Sequence, residues 1–290
     1  MLGAVIGDIA GSVYEFRNTK DYDFTMFLPQ SNFTDDTVMT MAVAEWAMNN
    51  DIYADVAVQT RLLEETMVSM AVDFPCPMGG YGGGFRTWLF EPEKLIDYRT
   101  GEYSNGRCPY NSFGNGSAMR TSSIGWLYDD LETTMRVAET ASAITHNHPE
   151  GIKGAQSVST AIFMARNGAG KDEIKEYIQS VFGYNLDVSW EHLHKTYGWD
   201  SSCQGTVPQA IIAFLASEDF ESAIRRAISL GGDSDTLACI TGSIAEAYYR
   251  DIPEYMVSKA MSLIPGKFKE LLRRLGEGDY AVCYEKYVKI

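Results

Sequence analysis

Two short segments of this 290-residue chain gather the side chains that metal-assisted chemistry needs. Phe33-Thr34-Asp35-Asp36-Thr37 stands at the start of an apolar-periodic stretch, and Gly231-Gly232-Asp233-Ser234-Asp235-Thr236 opens another far along the chain. Each carries two acids and a hydroxyl. Taken singly, each reads as a helix N-cap, because Thr and Asp accept orphan backbone N–H groups and acids favour the positive helix end. The repetition points further. If the two starts meet in space, four carboxylates and two threonine hydroxyls converge, a cluster that repels itself unless acids protonate or a cation binds. All these donors are hard oxygens, which selects Mg²⁺, Mn²⁺ or Ca²⁺ over Zn²⁺ or copper, and four carboxylates suit two divalent ions. Gly231 and Gly232 would let backbone approach the cluster closely.

Other segments add candidate ligand contacts. The opening run Gly3 to Phe16 has glycine at 3, 7 and 11, a spacing costly in a helix unless tight packing requires it. Asp8 and Glu15, seven apart, fall on one face of such a helix, as solvated, ion-paired or working acids. Pro109 to Arg120 (PYNSFGNGSAMR) is a Gly/Asn/Ser loop running into a helix, either a plain turn or a set of N–H groups able to cradle phosphate. It is neither a Walker A loop nor a dinucleotide fingerprint. Tyr81-Gly82-Gly83-Gly84-Phe85 offers similar backbone access beside aromatic rings. His146 and His148 are two apart and do not share a helix face, so zinc is disfavoured there, as it is for His192, His194 and Cys203. Contact with a ligand, or a satisfied buried histidine, is the better reading.

The elements that must position these residues are helical throughout. Apolar residues recur at three- and four-residue steps from Asp35 to Asn49. The same periodicity covers Asp51–Val72, Thr133–Ile144, Gly151–Met164, Lys171–Phe182, Pro208–Ala216, Phe220–Ser229, Asp235–Arg250 and Pro253–Leu263. Period-2 alternation is absent, so the expectation is an all-α, single-domain, compact orthogonal multi-helix bundle over residues 1–290. Met41, Met67, Met70, Met135 and Met256 fall inside these stretches and read as core filler. Phe74–Ser117 and Tyr184–Thr206 are expected as long loops, too aromatic for disorder, that rim a binding cleft.

Composition bounds the class. Hydrophobic residues make up 45% and charged residues 22% of the chain, ordinary values for a globular protein. Lys plus Arg total 24 against 39 Asp plus Glu, and the formal charge of -15 argues against wrapping a nucleic-acid backbone or reading its sequence. Cys76, Cys108, Cys203, Cys239 and Cys283 are odd in number and lack a CxxC pair, which fits a reducing compartment. Leu2 to Ile6 lacks the basic flank of a signal peptide and no apolar run is long enough to span a membrane, so a cytoplasmic location is expected.

Together these motifs resemble the ADP-ribosylglycohydrolase family. The resemblance rests on GAVIGDIAGSVYEF, FTDDT, YGGGFRTW, PYNSFGNGSAMR, ITHNHPEG, CQGTVPQA and GGDSDT, in that order along nearly the whole chain. It implies an all-α enzyme that cleaves the glycosidic bond between ADP-ribose and a modified acceptor, most readily a protein side chain, using two Mg²⁺ or Mn²⁺ ions. By the same resemblance Thr34, Asp35, Asp36, Asp233, Asp235 and Thr236 hold the metals. Asp235 bridges, Glu15 activates water, and Asp35 and Asp235 join Glu15 in the chemistry. Gly114, Asn115, Gly116 and Ser117 surround the pyrophosphate, with Met119, His146, Tyr81 and Gly82 completing the ADP-ribose contacts. A monomer is expected, with ADP-ribose as its partner. Hydrolysis of small ADP-ribose or nucleoside conjugates is an alternative, as is a non-catalytic role, since the family includes structural lens proteins. The acceptor is left to the two loops, where Asp73 and Asp97 could meet a guanidinium or simply face solvent.

Overall fold

The computed structural model describes residues 1–276, which leaves Cys283 outside the described residues. Among them the elements are helices and no strand: α1 (Leu2–Gly11), α2 (Asp35–Asn49), α3 (Val56–Asp73), α4 (Gly83–Phe90), α5 (Gly116–Met119), α6 (Ser122–Leu127), α7 (Leu131–Ala143), α8 (Pro149–Arg166), α9 (Lys171–Phe182), α10 (Trp190–Thr196), α11 (Cys203–Leu215), α12 (Phe220–Ser229), α13 (Ser234–Tyr249), α14 (Glu254–Leu263) and α15 (Gly266–Gly276). The all-α expectation holds. Three helices have the bounds read from periodicity, α2, α9 and α12, and each begins or ends on a strong local signal, the Thr34 cap in the case of α2. Gly183 closes α9 in the left-handed region at φ 71°, and the Asp219 carboxylate caps α12 by accepting from Ser222 N at 2.7 Å.

The centre of the protein is α1 lying in α13. Every residue of α1 is buried. A Cβ on Gly11 would sit 2.5 Å from Asp235 Cα, and one on Gly7 would reach Cys239 N at 2.8 Å and press on the Ala238 carbonyl. Glycine at 3, 7 and 11 is therefore the condition for backbone-to-backbone contact between the two helices, as the spacing suggests. Around this pair pack α2, α8, α11, α12 and α14. Met41, Met67, Met70 and Met256 are fully buried in the surrounding core and Met135 is partly so.

Several boundaries depart from the sequence reading. Within the supposed loop 74–117, α4 forms although it opens on glycines, because Phe85, Trp88 and Leu89 present one buried stripe that outweighs poor propensity. The loop 184–206 contains α10, capped by Ser189, and the first turn of α11, capped by Ser202. Pro208 consequently lies inside α11 and does not begin it. Helix α3 starts at Val56, five residues later than its periodicity suggests, and α15 has a strong apolar face that the sequence reading passed over. No described helix is long and apolar enough to cross a membrane.

Candidate active site

The N-termini of α2 and α13 meet at the floor of a cleft of about 500 Å³. Asp35, Asp36, Asp233, Asp235 and Thr236 all line it, and Glu15 joins them from the turn after α1. Because α1 ends at Gly11, Glu15 is not on a helical face with Asp8, contrary to the seven-residue spacing argument. Glu15, Asp233 and Asp235 each place a carboxylate oxygen within 4.8 Å of the others. Asp233 stands at the N-cap position of α13, yet its side chain caps nothing; its Oδ2 accepts from Asn115 Nδ2 at 2.8 Å instead. Capping thus does not account for the second motif.

Thr34 does cap. Its Oγ1 accepts from Asp36 N at 3.1 Å and donates to Asp8 Oδ1 at 2.7 Å. Asp8 is fully buried and accepts in addition from Thr34 N and Thr37 N at 3.0 Å and from the Thr37 hydroxyl. Four donors on one carboxylate offset the cost of burying it and tie the FTDDT turn to α1. The sequence offered one signal of this, an acid in an otherwise apolar run, but not its partners. Asn18 carries no such signal. Its amide accepts from Gly232 N at 2.8 Å and donates to Gly232 O at 2.9 Å, holding the GGDSD turn beside the Glu15 turn, and Gly232 at φ 74° has no room for a Cβ against Gly198 O.

Electrostatics mark the cluster as frustrated. Burial first, then the charges of Asp8 and Asp233, lift Asp35 well above the carboxylate range; burial with Asp8 and Asp35 does the same for Asp36, and burial with Asp233 and Asp36 for Asp235. Burial and the Asp233 charge push Glu15 up to about 7, and burial holds Asp8 at about 6 despite its hydrogen bonds. Asp36 Oδ2 is buried with no hydrogen-bond partner. A hard divalent cation is the group that such a set of oxygens fits, since it relieves the repulsion and satisfies the orphan atom.

The sign of the pH dependence follows for the metal-free protein. These folded-state values lie above the unfolded ones, so the native state holds extra protons, and the stability they confer is lost as pH rises through the folded values. Melting in chelator, followed by circular dichroism, should give a Tm that falls from pH 3.8 toward about 7, the span set by Asp8 and Glu15. A Tm that rises across this range contradicts the clustering.

The cleft walls are glycine-rich loops. Tyr81 and Gly82 line the cleft from the segment leading into α4, and Gly114, Asn115, Gly116 and Met119, around α5, supply a second wall with His146. The second wall is pinned to the segment before α11 by Asn115 N donating to Ser201 O and Cys203 N to Phe113 O, each at 2.8 Å. Ser117 stands apart from the other residues assigned to the ligand: it is fully buried, and its hydroxyl donates to Gly151 O at 2.8 Å, below the wall. Thr34 likewise lies behind the acids and not on the cleft surface. At the mouth, exposed Phe16 and Trp199 stack with centroids 5.8 Å apart. Asp97 is tied to Arg99 and Asp73 to Lys267, and neither borders the cleft. His148 caps α8, and His194 Nε2 lies 2.7 Å from Lys20 O.

The two acidic helix starts converge under a glycine-walled cleft into a site of hard-oxygen donors suited to a divalent cation. The sequence profile of the ADP-ribosylglycohydrolase family matches residues 1–285, and the chain belongs to that family. The ADP-ribosylhydrolase ARH3 of Mus musculus is 27% identical over 88% of this chain and 84% of its own length. The ADP-ribosylarginine hydrolase Tri1 of Pseudomonas putida is 26% identical over 86% of this chain and 69% of its own. A solved ADP-ribosylglycohydrolase-related protein complex superposes with a TM-score of 0.59 at 20% identity, covering 100% of this chain and 96% of that one, and shares the fold. The chain is thus a glycohydrolase by family.

Proposed function

We propose that the protein hydrolyses the bond between C1″ of ADP-ribose and a modified acceptor, a protein side chain above all, with two Mg²⁺ or Mn²⁺ ions held by Thr34, Asp35, Asp36, Asp233, Asp235 and Thr236. The observation that carries this reading is the meeting of both acidic turns with Glu15 at the floor of one cleft. Bound there, divalent ions supply Lewis-acid polarisation and a more acidic water.

The remaining roles belong to the chain's own groups. Asn115 fixes the Asp233 carboxylate through its amide, and Asp8 fixes Thr34, so the donors are held before ligand arrives. Glu15, within 4.8 Å of Asp233 and Asp235 at the cleft floor, takes the proton of the attacking water. Tyr81, Gly82, the Gly114–Gly116 loop and His146 line the same cleft as the acids, a set suited to holding the ADP-ribose while C1″ reaches them. An oxocarbenium-like transition state develops positive charge, which the surrounding carboxylates favour. The acceptor leaves past Phe16 and Trp199, whose rings give the mouth a flat apolar edge.

The test is to incubate purified protein with arginine-, serine- and nucleobase-linked ADP-ribose and detect free ADP-ribose. Release from at least one conjugate is expected, abolished by chelator and restored by Mg²⁺ or Mn²⁺. Release that survives chelation removes the metal from the mechanism. Binding of ADP-ribose by calorimetry with no release from any conjugate supports the non-catalytic alternative.

A further inference from the structure

Behind the cleft wall a line of polar groups runs from the core to the ligand space. The Arg120 guanidinium is fully buried and donates through Nη2 to Ala141 O at 2.7 Å and to Thr145 Oγ1 at 3.0 Å. Thr145 Oγ1 in turn lies 2.7 Å from His146 Nδ1. Counting hydrogens leaves one arrangement. A guanidinium only donates, so Oγ1 accepts from it; a second acceptance from an Nδ1–H would leave the hydroxyl hydrogen of the fully buried Thr145 with no acceptor, whereas donation to Nδ1 satisfies every group. A neutral imidazole that accepts at Nδ1 carries its hydrogen on Nε2.

The ring is neutral. Burial, and then the Arg120 charge, hold His146 well below its ordinary value, and Tyr110, 6.0 Å away ring to ring, adds no counter-charge as a phenol whose own pKa is pushed up to about 12 by burial. Nε2 is the nitrogen that faces the loop: Cβ atoms on Gly114 and Gly116 would lie 3.5 and 3.3 Å from it.

We infer that Arg120 and Thr145 are positioning residues that lock His146 as the Nε2–H tautomer, so that it offers the ligand a hydrogen-bond donor matched to a phosphate oxygen and never an acceptor. The phosphate rests on the function proposed above, whereas the tautomer does not. The donor is specified from within the core, so a ligand presenting its own N–H or O–H donor at this point meets a hydrogen and is rejected.

The four histidines of the chain allow ring-nitrogen assignment by substitution in ¹⁵N-labelled protein. Long-range ¹H–¹⁵N spectra of the free protein should show His146 with a protonated Nε2 and a bare Nδ1, and saturating ADP-ribose should shift Nε2. Thr145→Val should mix the tautomers and weaken ADP-ribose binding about 3- to 10-fold, the loss of one hydrogen bond, while Thr145→Ser retains both properties. A protonated Nδ1 in the wild-type protein, an unchanged tautomer in Thr145→Val, or an Nε2 signal unmoved by bound ADP-ribose overturns the inference. If Thr145→Val fails to fold, the wild-type and Thr145→Ser spectra still decide it. Absence of any ADP-ribose binding to the wild-type protein would sink the functional reading instead, leaving the free-state spectrum to judge the tautomer.

Discussion

Asp235→Asn is expected to lower ADP-ribose release by about 10³-fold, roughly 4 kcal/mol of transition-state stabilisation, and at the same time to raise the Tm of the metal-free protein. The two effects have one cause. Asp235 is buried among like charges, with Asp233, Asp36 and Glu15 all acting to disfavour its ionised form. Exchanging the carboxylate for an amide removes that repulsion, and the asparagine oxygen still accepts the Thr236 N–H that Asp235 Oδ1 now takes at 3.0 Å. What is lost is the negative charge that a divalent ion requires. On the metal reading proposed above, the repulsion among these acids is what would make cation binding favourable, so function and metal-free stability would oppose each other here. Activity with a conjugate and melting in chelator measure the two sides. A variant that keeps turnover shows that Asp235 is no ligand, and one that melts lower shows that it is a structural anchor.

Gly7→Ala carries the largest expected cost to the fold, about 3 kcal/mol or more. The added methyl would meet the Ala238 carbonyl and Cys239 N of α13, backbone atoms with no rotamer to move aside. Relief requires α1 to lift off α13, and with it Asp8 and the FTDDT turn that Asp8 holds, so activity should fall with stability. Gly83→Ala is the control. Nothing lies within 4 Å of a Cβ there, and the residue opens α4, so urea melts should show little loss or a slight gain. Equal effects of the two substitutions would remove tight helix contact as the reason for glycine at position 7.

Local chemistry accounts for what was legible from residues alone. The bounds of α9 and α12 follow from signals within a few residues: Asp219 bonding Ser222, and Gly183 adopting a conformation that costs it little. The acid pairs at two helix starts and the all-oxygen donor set are also plain in the chain. Where sequence reasoning failed, an interaction across the fold outweighed a local preference. Helix α4 exists because Phe85, Trp88 and Leu89 find a core, not because its glycines favour a helix. Pro208 sits inside α11 because Ser202 caps an earlier start, supplied by the ordered segment that pairs Cys203 with Phe113. Ser117, assigned to the ligand loop, gives its hydroxyl to Gly151 O on α8, a contact that no local signal announces.

The sequence by itself determined the all-helical class, the bounds of α2, α9 and α12, the family and the pairing of acids at two helix starts, because periodicity, caps and motifs are written in residues close along the chain. Only the tertiary structure decided that Asp8 serves Thr34 and Thr37, that Asn18 holds Gly232, that Glu15 lies off its helix beside Asp233, and that Arg120 reaches His146 through Thr145. The reason is that burial creates these pairings. A carboxylate or guanidinium without water must take its partners from whatever helix packs against it, and the contact of α1 with α13 sets which one that is.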